Sequence, residues 1–450
     1  MHLIWENLMK NLVLLWTREF KGLDEGMGCY VLDKSVWEAI GKATAASGST
    51  IPSAYGPRVP NMSTDHSNMS AEMWSFWSLY LRPVLLQRCF KDAKYFKHFV
   101  HLVMLLNLCL QFEISTAEIQ QTEHVSDRLY YQYDPARIST CPVTIHALLH
   151  IADSIETMGP VWCYWAFPME WYCGKLQPSI QSHRFPYHSL DHFILESAQL
   201  TQLQILYKLH DELALRPSHR GKILGSFQSE SCKLSIDPTC MLLPPRSPIC
   251  PDEKLLSTSV SPALKTRFMR VDLKVIRKHL KAAFVEEWGT VRHIDSEEGD
   301  TMHASSMYKH GEDHRDPTFV RYQMYVDKFA NQRRHAEELE LKTFYGRLER
   351  IIYIHFRASA HQDLHIQNDA DAHIILAVIR NTVVDESLRE LLKLDIHFSS
   401  HEGKLDVIDI TSVQCLIGRV FDGDHCALID HSGSLACAIH VDDSDIIGDE

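Results

Sequence analysis

Hydrophobic residues in the first half of the chain recur at helical spacing. The segment SAEMWSFWSLYLRPVLL places Trp74, Trp77 and Leu81 three or four residues apart, with Ser70 in the N-cap position. Pro83 should kink or end this helix, because proline cannot continue the backbone hydrogen-bond ladder. Similar patterns predict an opening helix around Leu12 and further helices over 35–47, 91–112, 115–131, 143–157, 161–176 and 190–215. We therefore predict an all-α helical bundle over residues 1–214.

The C-terminal part of the chain changes to strand-like runs rich in Val, Ile and Tyr. These runs are TFYGRLERIIYIHF, HIILAVIRNTVV, LDIHFS, DVIDITSVQCLIGRVF, HCALIDH and ACAIHVDD. The sequences DGD and HSGS between them are typical of turns. We predict a small antiparallel sheet or partly closed barrel over 321–450, and hence an α+β fold.

The segment between these two parts lacks a sustained period. Residues 216–262 mix Pro, Ser, Gly and Cys, which predicts a linker or a long surface loop. A basic helix is predicted over 263–287, within an irregular connector that covers 215–320.

Seven cations dominate this predicted basic helix, against Asp272 alone. They are Lys265, Arg267, Arg270, Lys274, Arg277, Lys278 and Lys281. An apolar stripe would leave them on an outer face suited to DNA phosphates, with weakly selective and salt-sensitive binding. The alternative is a solvated helix that packs on an acidic neighbour.

The overall composition limits the class of protein. The chain has 450 residues, 45% of them hydrophobic, and 58 acidic against 45 basic residues, a net charge of −13. This balance argues against a nucleic-acid-binding surface over the whole chain but permits a local one. The longest apolar run, 100–112, is shorter than a membrane span, so we expect no membrane partner. Twelve cysteines without a C-x-x-C pair, and no signal-peptide pattern at the N-terminus, predict an intracellular protein.

The segment TIHALLHIADSIE contains a candidate metal site. His146 and His150 lie four residues apart, and Asp153 shares their helix face. Cys163, Glu170 and Cys173 could complete such a site. The intervening residues do not match H-E-x-x-H, so we favour histidines that pack in the interior of the bundle. A phosphate-binding glycine loop and a nucleophile motif are both missing from the sequence, and no small-molecule substrate is evident.

The following stretch, GPVWCYWAFPMEWYCG, is dominated by large aromatic residues. Rings of this size favour burial, so we predict that Trp162, Trp165 and Tyr172 belong to the packed core of the helical part. Glu170 among these rings needs a partner, for example Arg184 or a histidine.

At this point the sequence resembles a known family. The region from His146 to the aromatic block is similar to the part that follows the catalytic domain in CACTA-type (En/Spm) DNA transposases, the fungal type above all. MHLIWENL, IPSAYGPR, TFYGRLERI, VQCLIGRV and ALIDHSGSLA share this resemblance. The matching family-motif residues are Gly159, Pro160, Trp162, Trp165, Pro168 and Glu170. The family usually has Arg where this chain has Trp171.

The resemblance implies a role in DNA transposition, in the nucleus. Family members carry an RNase H-like domain upstream, whose carboxylates hold two Mg²⁺ ions. Met1 corresponds to a position inside longer relatives, so we expect a non-catalytic C-terminal remnant without a cofactor. Glu6 is the one candidate for a catalytic acid.

The expected partners are DNA, a full-length transposase or another protein. Two alternatives remain open. One is a stand-alone metal-dependent hydrolase that uses His146, His150 and Asp153. The other is the inert product of a decayed transposon gene, with apolar surface exposed around Trp5 and Trp16.

Overall fold

The computed structural model describes residues 2–20, 28–132, 143–182, 184–209, 212–213, 240–247, 252–293, 301–309, 314–329, 338–385, 389–423, 425–431 and 435. The predicted linker over 215–239 and the strand-like run ACAIHVDD lie outside these residues. Helices and an antiparallel sheet make up the described chain, which confirms the α+β class. The chain divides into two compact units. The first consists of Met1–Met27, Met104–Leu224 and Ser434–Glu450, and the second of Gly28–Val103 and Gly225–Gly433.

Through most of the first half of the chain, helices occur where the spacing of hydrophobic residues predicts them. A π-helical segment, His2–Met9, leads into the first α-helix. The α-helices are α1 Lys10–Thr17, α2 Lys34–Ser47, α3 Ala71–Phe76, α4 Arg82–Leu85, α5 Ala93–Cys109, α6 Thr116–Gln132, α7 Val143–His146, α8 Ile151–Met158, α9 Phe167–Leu176, α10 Pro186–Tyr207, α11 Glu253–Leu255, α12 Ser261–Arg267, α13 Leu273–Ala282, α14 Ala358–Leu364 and α15 Arg389–Leu392.

The predicted start of the α3–α4 region is confirmed, while helix continues through Pro83 to Leu85. The Ser70 hydroxyl caps α3 by accepting a hydrogen bond from the Met73 amide at 3.2 Å. A π-helical turn, Trp77–Leu81, precedes Pro83, and α4 ends at Leu85. The wider π turn changes the hydrogen-bond ladder where proline cannot take part in it.

The sheet is antiparallel throughout. Its strands are β1 Cys240–Ser247, β2 Phe284–His293, β3 Thr301–His303, β4 Phe319–Asp327, β5 Leu339–His355, β6 His373–Asp385, β7 His397–Asp409, β8 Val413–Leu416, β9 Gly418–Asp422 and β10 His425–Ile429. The main order is β1-β2-β5-β6-β7-β10-β9, while β4 pairs with both β5 and β8. β8 and β9 are separated by one residue and follow each other along the sheet. Because β8 pairs with β4 and β9 pairs with β10, the strands close a ring in the order β4, β5, β6, β7, β10, β9 and β8. The partly closed barrel is therefore present, and Gly423, at φ +59°, makes its predicted DGD turn.

The domain boundaries differ from the predicted ones. The sheet starts at Cys240, inside the predicted connector, and residues 28–103 belong to the same compact unit as the sheet. Tyr55 shows why: its hydroxyl lies 2.8 Å from the Leu416 carbonyl oxygen and 3.1 Å from that of Ile429. α2 and α4 of this segment contact β9 as well as each other.

Both faces of the central strands are buried. On one face Trp288, Tyr353 and Ile379 form a core with residues of β4 and β8. On the other face Ile352 and Ile354 pack against α12, α13 and α14. This second core fixes the position of α13 on the sheet.

Candidate nucleic-acid interface

The prediction of one continuous basic helix over 263–287 is wrong. The segment consists of α12, a turn over 268–272, α13 and the beginning of β2. Phe268 leaves the helical region, with φ −102° and ψ 58°, and its ring packs edge-on against Phe356 at 5.9 Å. Asp272 then caps α13 by accepting a hydrogen bond from the Lys274 amide at 2.7 Å. Local helix propensity over 284–287 is overridden because β1 and β5 pair with β2 on both sides.

α13 has an inner and an outer face. Ile276 and Leu280 are buried in the core beneath it. The Nε2 atom of His279 lies 2.8 Å from a carboxylate oxygen of Asp363 on α14, which fastens the helix laterally. The exposed side chains of its outer face are Lys274, Arg277, Lys278 and Lys281.

Two of the predicted DNA-binding cations have structural contacts around the turn. The Lys265 ammonium donates to the carbonyl oxygens of Met269 at 2.5 Å and Val271 at 2.6 Å. Arg267 pairs with Asp409 at 3.0 Å. These side chains hold the turn and the adjacent strand together, so they are less available to a ligand.

Two further cations have contacts at the surface. Arg277 donates to the Ser257 carbonyl oxygen at 3.1 Å, and Lys281 pairs with Glu253 at 2.8 Å. The hydrogen bond and charge of Lys281 lower the pKa of the Glu253 carboxyl. Both partners of this pair are largely exposed, and such surface pairs are weak and exchangeable.

The remaining three cations, Arg270, Lys274 and Lys278, are exposed and form the cationic patch. None of their charged groups has an ion pair within the part of the chain that the structure describes. They are spaced by four residues, from the turn into the first two helical turns of α13. At these three positions the predicted outer face has no acidic partner among the described residues. The acidic neighbours of the alternative prediction are Asp409 and Glu253, which pair with Arg267 and Lys281.

His146, His150 and Asp153, the weaker candidates for metal ligands, lie at the surface. His146 and His150 are exposed, with ring centroids 5.2 Å apart, and His150 Nδ1 lies 3.9 Å from a carboxylate oxygen of Asp153. The expectation that these histidines pack in the bundle interior is wrong, because they lie on the outer side of α7 and α8. Among the described residues, no three His, Cys, Asp or Glu side chains are arranged to hold a metal ion.

The aromatic block is not the packed core that its composition predicts. Phe167 is buried, but Trp162 is 40% exposed and Trp165 is half-buried. The Trp162 indole instead donates to the Phe112 carbonyl oxygen at 3.0 Å. Short helical segments interrupted by turns leave too little continuous apolar face to bury all of these rings.

Several family-motif residues mark helix boundaries. Gly159 ends α8 at φ +86°, a conformation that glycine adopts without strain, and Pro160 follows it. Pro168 occupies the first turn of α9, where its missing amide costs nothing. Glu170 lies in the same turn, where the helix dipole favours a carboxylate.

Glu6 lies half-buried in the π-helical segment His2–Met9. Because no metal-holding group of carboxylates occurs in the described ranges, their residues do not fit a two-metal site. Trp5 and Trp16 are buried, at 4% exposure each, so the expectation of an exposed surface around them is wrong.

A polar cluster on the sheet was not predicted from the sequence. The Tyr353 hydroxyl lies 2.7 Å from His373 Nδ1, and the His355 ring stacks on His373 at 4.1 Å. Buried Glu286 is the cross-strand neighbour of Tyr353 and pairs with Arg246. The signal was the alternation in YIH, which puts Tyr353 and His355 on one sheet face. The cluster contains side chains of four strands, β1, β2, β5 and β6, and its hydrogen bond, ring stacking and ion pair join neighbouring strands.

No helix in the described part of the chain combines the length and apolar character needed to cross a membrane. Comparison of the chain with protein-family models, curated proteins and solved structures gives no match.

Proposed function

We propose that the chain binds DNA through the cationic patch, as the non-catalytic C-terminal part of a transposase-like protein. One observation carries the DNA-binding part. In a chain with 13 more acidic than basic residues, Arg270, Lys274 and Lys278 project from α13 and the turn before it without a neutralising carboxylate among the described residues. An open cluster of cations attracts a polyanion, and DNA phosphates are the polyanion that transposition supplies.

The transposase context is supported by the resemblance of the motifs around His146 and Gly159. The proposed transposase context includes residence in the nucleus and a full-length transposase as the protein partner. In this arrangement the chain contributes DNA affinity, and the partner contributes the catalytic carboxylates and their Mg²⁺ ions.

Salt dependence tests the DNA-binding part. Each phosphate neutralised by a cation contributes about −0.9 to the slope of log K against log salt concentration on duplex DNA. The triple variant Arg270→Ala, Lys274→Ala, Lys278→Ala should therefore have a shallower slope, by about 0.9 for each phosphate that these side chains contact and so by at most about 2.7. Fluorescence anisotropy with a labelled mixed-sequence duplex measures both slopes.

A matched control removes the same charge elsewhere. Lys34, Lys42 and Lys342 are exposed and lie on α2 and β5. Their triple alanine variant should keep the wild-type slope. Equal slopes for the wild type and the patch variant, or equal losses in both triple variants, contradict the proposal.

A further inference from the structure

The turn that presents α13 is held in one conformation by several contacts. The Lys265 ammonium binds two carbonyl oxygens of the turn, those of Met269 and Val271. Val271 is buried at 5% exposure, and the Phe268 ring packs against Phe356. α12 and α13 therefore form a two-helix unit with a fixed turn, and α13 is presented as a preorganised element.

The outer face of α13 is basic along its whole length. Lys274, Arg277, Lys278 and Lys281 occupy positions i, i+3, i+4 and i+7, which lie on one side of a helix. Asp272 is at the N-cap rather than on that face, and Glu253 meets the face at its last residue, Lys281, through an exposed ion pair. A helix with its side chains is about 10–12 Å across, and the major groove of B-DNA is about 12 Å wide. The size and the charge of this face both match the major groove.

Other forms of nucleic acid match this surface less well. Proteins that bind single strands stack bases on exposed aromatic rings. Over 252–284, a range described throughout, Phe268 is half-buried, His279 is buried and Phe284, at the start of β2, is 43% exposed. A single exposed ring provides no row on which successive bases could stack. Duplex RNA has a deep, narrow major groove that side chains cannot enter. Duplex DNA is therefore the favoured ligand.

We infer that the outer face of α13 lies in the major groove of duplex DNA, with Arg270 on the flanking phosphate backbone. This inference rests on the proposed function, and it names the form of DNA and the part of it that α13 contacts. Lys274 and Lys278 face the base edges, and Arg270, in the turn, contacts phosphate.

The test compares two duplexes of the same sequence with the full chain. One is unmodified, and in the other every cytosine carries a glucosylated 5-hydroxymethyl group. The sugar fills the major groove but leaves the phosphate charges in place. We expect the wild-type chain to bind the glucosylated duplex about tenfold more weakly, since each groove contact contributes to affinity.

Two variants separate groove contacts from backbone contacts. The variant Lys274→Ala, Lys278→Ala should lose affinity for the unmodified duplex and bind both duplexes nearly equally. Arg270→Ala should lower the affinity for both duplexes by the same factor. All three side chains are exposed, and circular dichroism melting checks that each variant is folded.

The outcomes distinguish this inference from the proposal on which it rests. Equal binding of both duplexes by the wild type, with the salt slope still dependent on the cationic patch, overturns groove insertion but keeps the DNA-binding proposal. Tighter binding to the matching single strand also overturns the inference. Failure to bind any of these probes overturns both.

Discussion

His431 is a buried histidine surrounded by aromatic side chains. Its ring centroid lies 4.9 Å from that of Tyr55, 5.2 Å from that of Tyr80 and 6.1 Å from that of Phe76. Burial lowers the pKa of His431 to about 4, against the opposing effect of the neighbouring Asp430 carboxylate. Arg321 pairs with that carboxylate and reduces its influence. The neutral imidazole is thus the form that this pocket accepts.

The depressed pKa predicts a loss of stability in mild acid. Between an ordinary value of 6.5 and about 4, the unfolded chain takes up a proton at His431 and the folded chain does not. The free energy of unfolding should therefore fall as the pH is lowered through this window, by about 3 kcal/mol from His431. Urea denaturation of the wild type and of His431→Phe across the window measures this contribution.

The variant His431→Phe retains an aromatic ring and should show a correspondingly flatter pH profile. His192→Phe replaces an exposed histidine of α10 and should keep the wild-type profile. Parallel profiles for the wild type and His431→Phe would show that His431 is not the group responsible.

At the scale of elements, α10 is a long helix with little of its surface covered. It spans Pro186–Tyr207, and none of its side chains is fully buried. Leu195 is 59% exposed and Leu206 is 73% exposed. Its stability depends on intrinsic helix propensity more than on tertiary packing, in contrast to α13.

The exposure of α10 gives a stability prediction. The double variant Leu195→Lys, Leu206→Lys should change the free energy of unfolding by no more than about 0.5 kcal/mol per site, as at other exposed positions. It should also lower the fluorescence of a dye that binds exposed apolar surface. In α5, Leu105→Ala is the buried comparison and should cost about 2–5 kcal/mol. A similar loss in the α10 variant would mean that this face is covered in solution.

The sequence allowed correct prediction of elements wherever local signals agreed with tertiary packing. α3 has its Ser70 cap, and β5 and β6 have long runs of β-branched and aromatic residues. β2 could not be predicted, because AAFVEEW is compatible with a helix and its strand form depends on pairing with β1 and β5. The same dependence on distant contacts ended the basic helix at Phe268, whose partner Phe356 is far away in sequence.

The residue types of the candidate site could be predicted from the sequence. The sequence could not show which of the seven cations remain available to a ligand. Periodicity placed Lys274 and Lys278 on an outer face, which the structure also has. Sequence alone could not show that Lys265 would bind carbonyl oxygens of its own turn or that Arg267 would pair with Asp409. The burial of His146 and His150 and of the aromatic block was predicted wrongly because composition does not reveal which helix faces are covered.

At the scale of the whole molecule, the charge distribution has two opposing effects on DNA. The net charge of −13 repels a polyanion at long range, while the cationic patch attracts it locally. Salt screens both effects, with a Debye length of about 8 Å at physiological ionic strength. Binding to DNA should therefore be confined to the α12–α13 surface.

Lysine acetylation with and without DNA, followed by peptide mass spectrometry, tests this central claim most directly. We predict that duplex DNA protects Lys274 and Lys278 from acetylation, while Lys34, Lys42 and Lys342 react at unchanged rates. Unchanged reactivity of Lys274 and Lys278 in a chain saturated with DNA would contradict the account, as would equal protection of all five lysines.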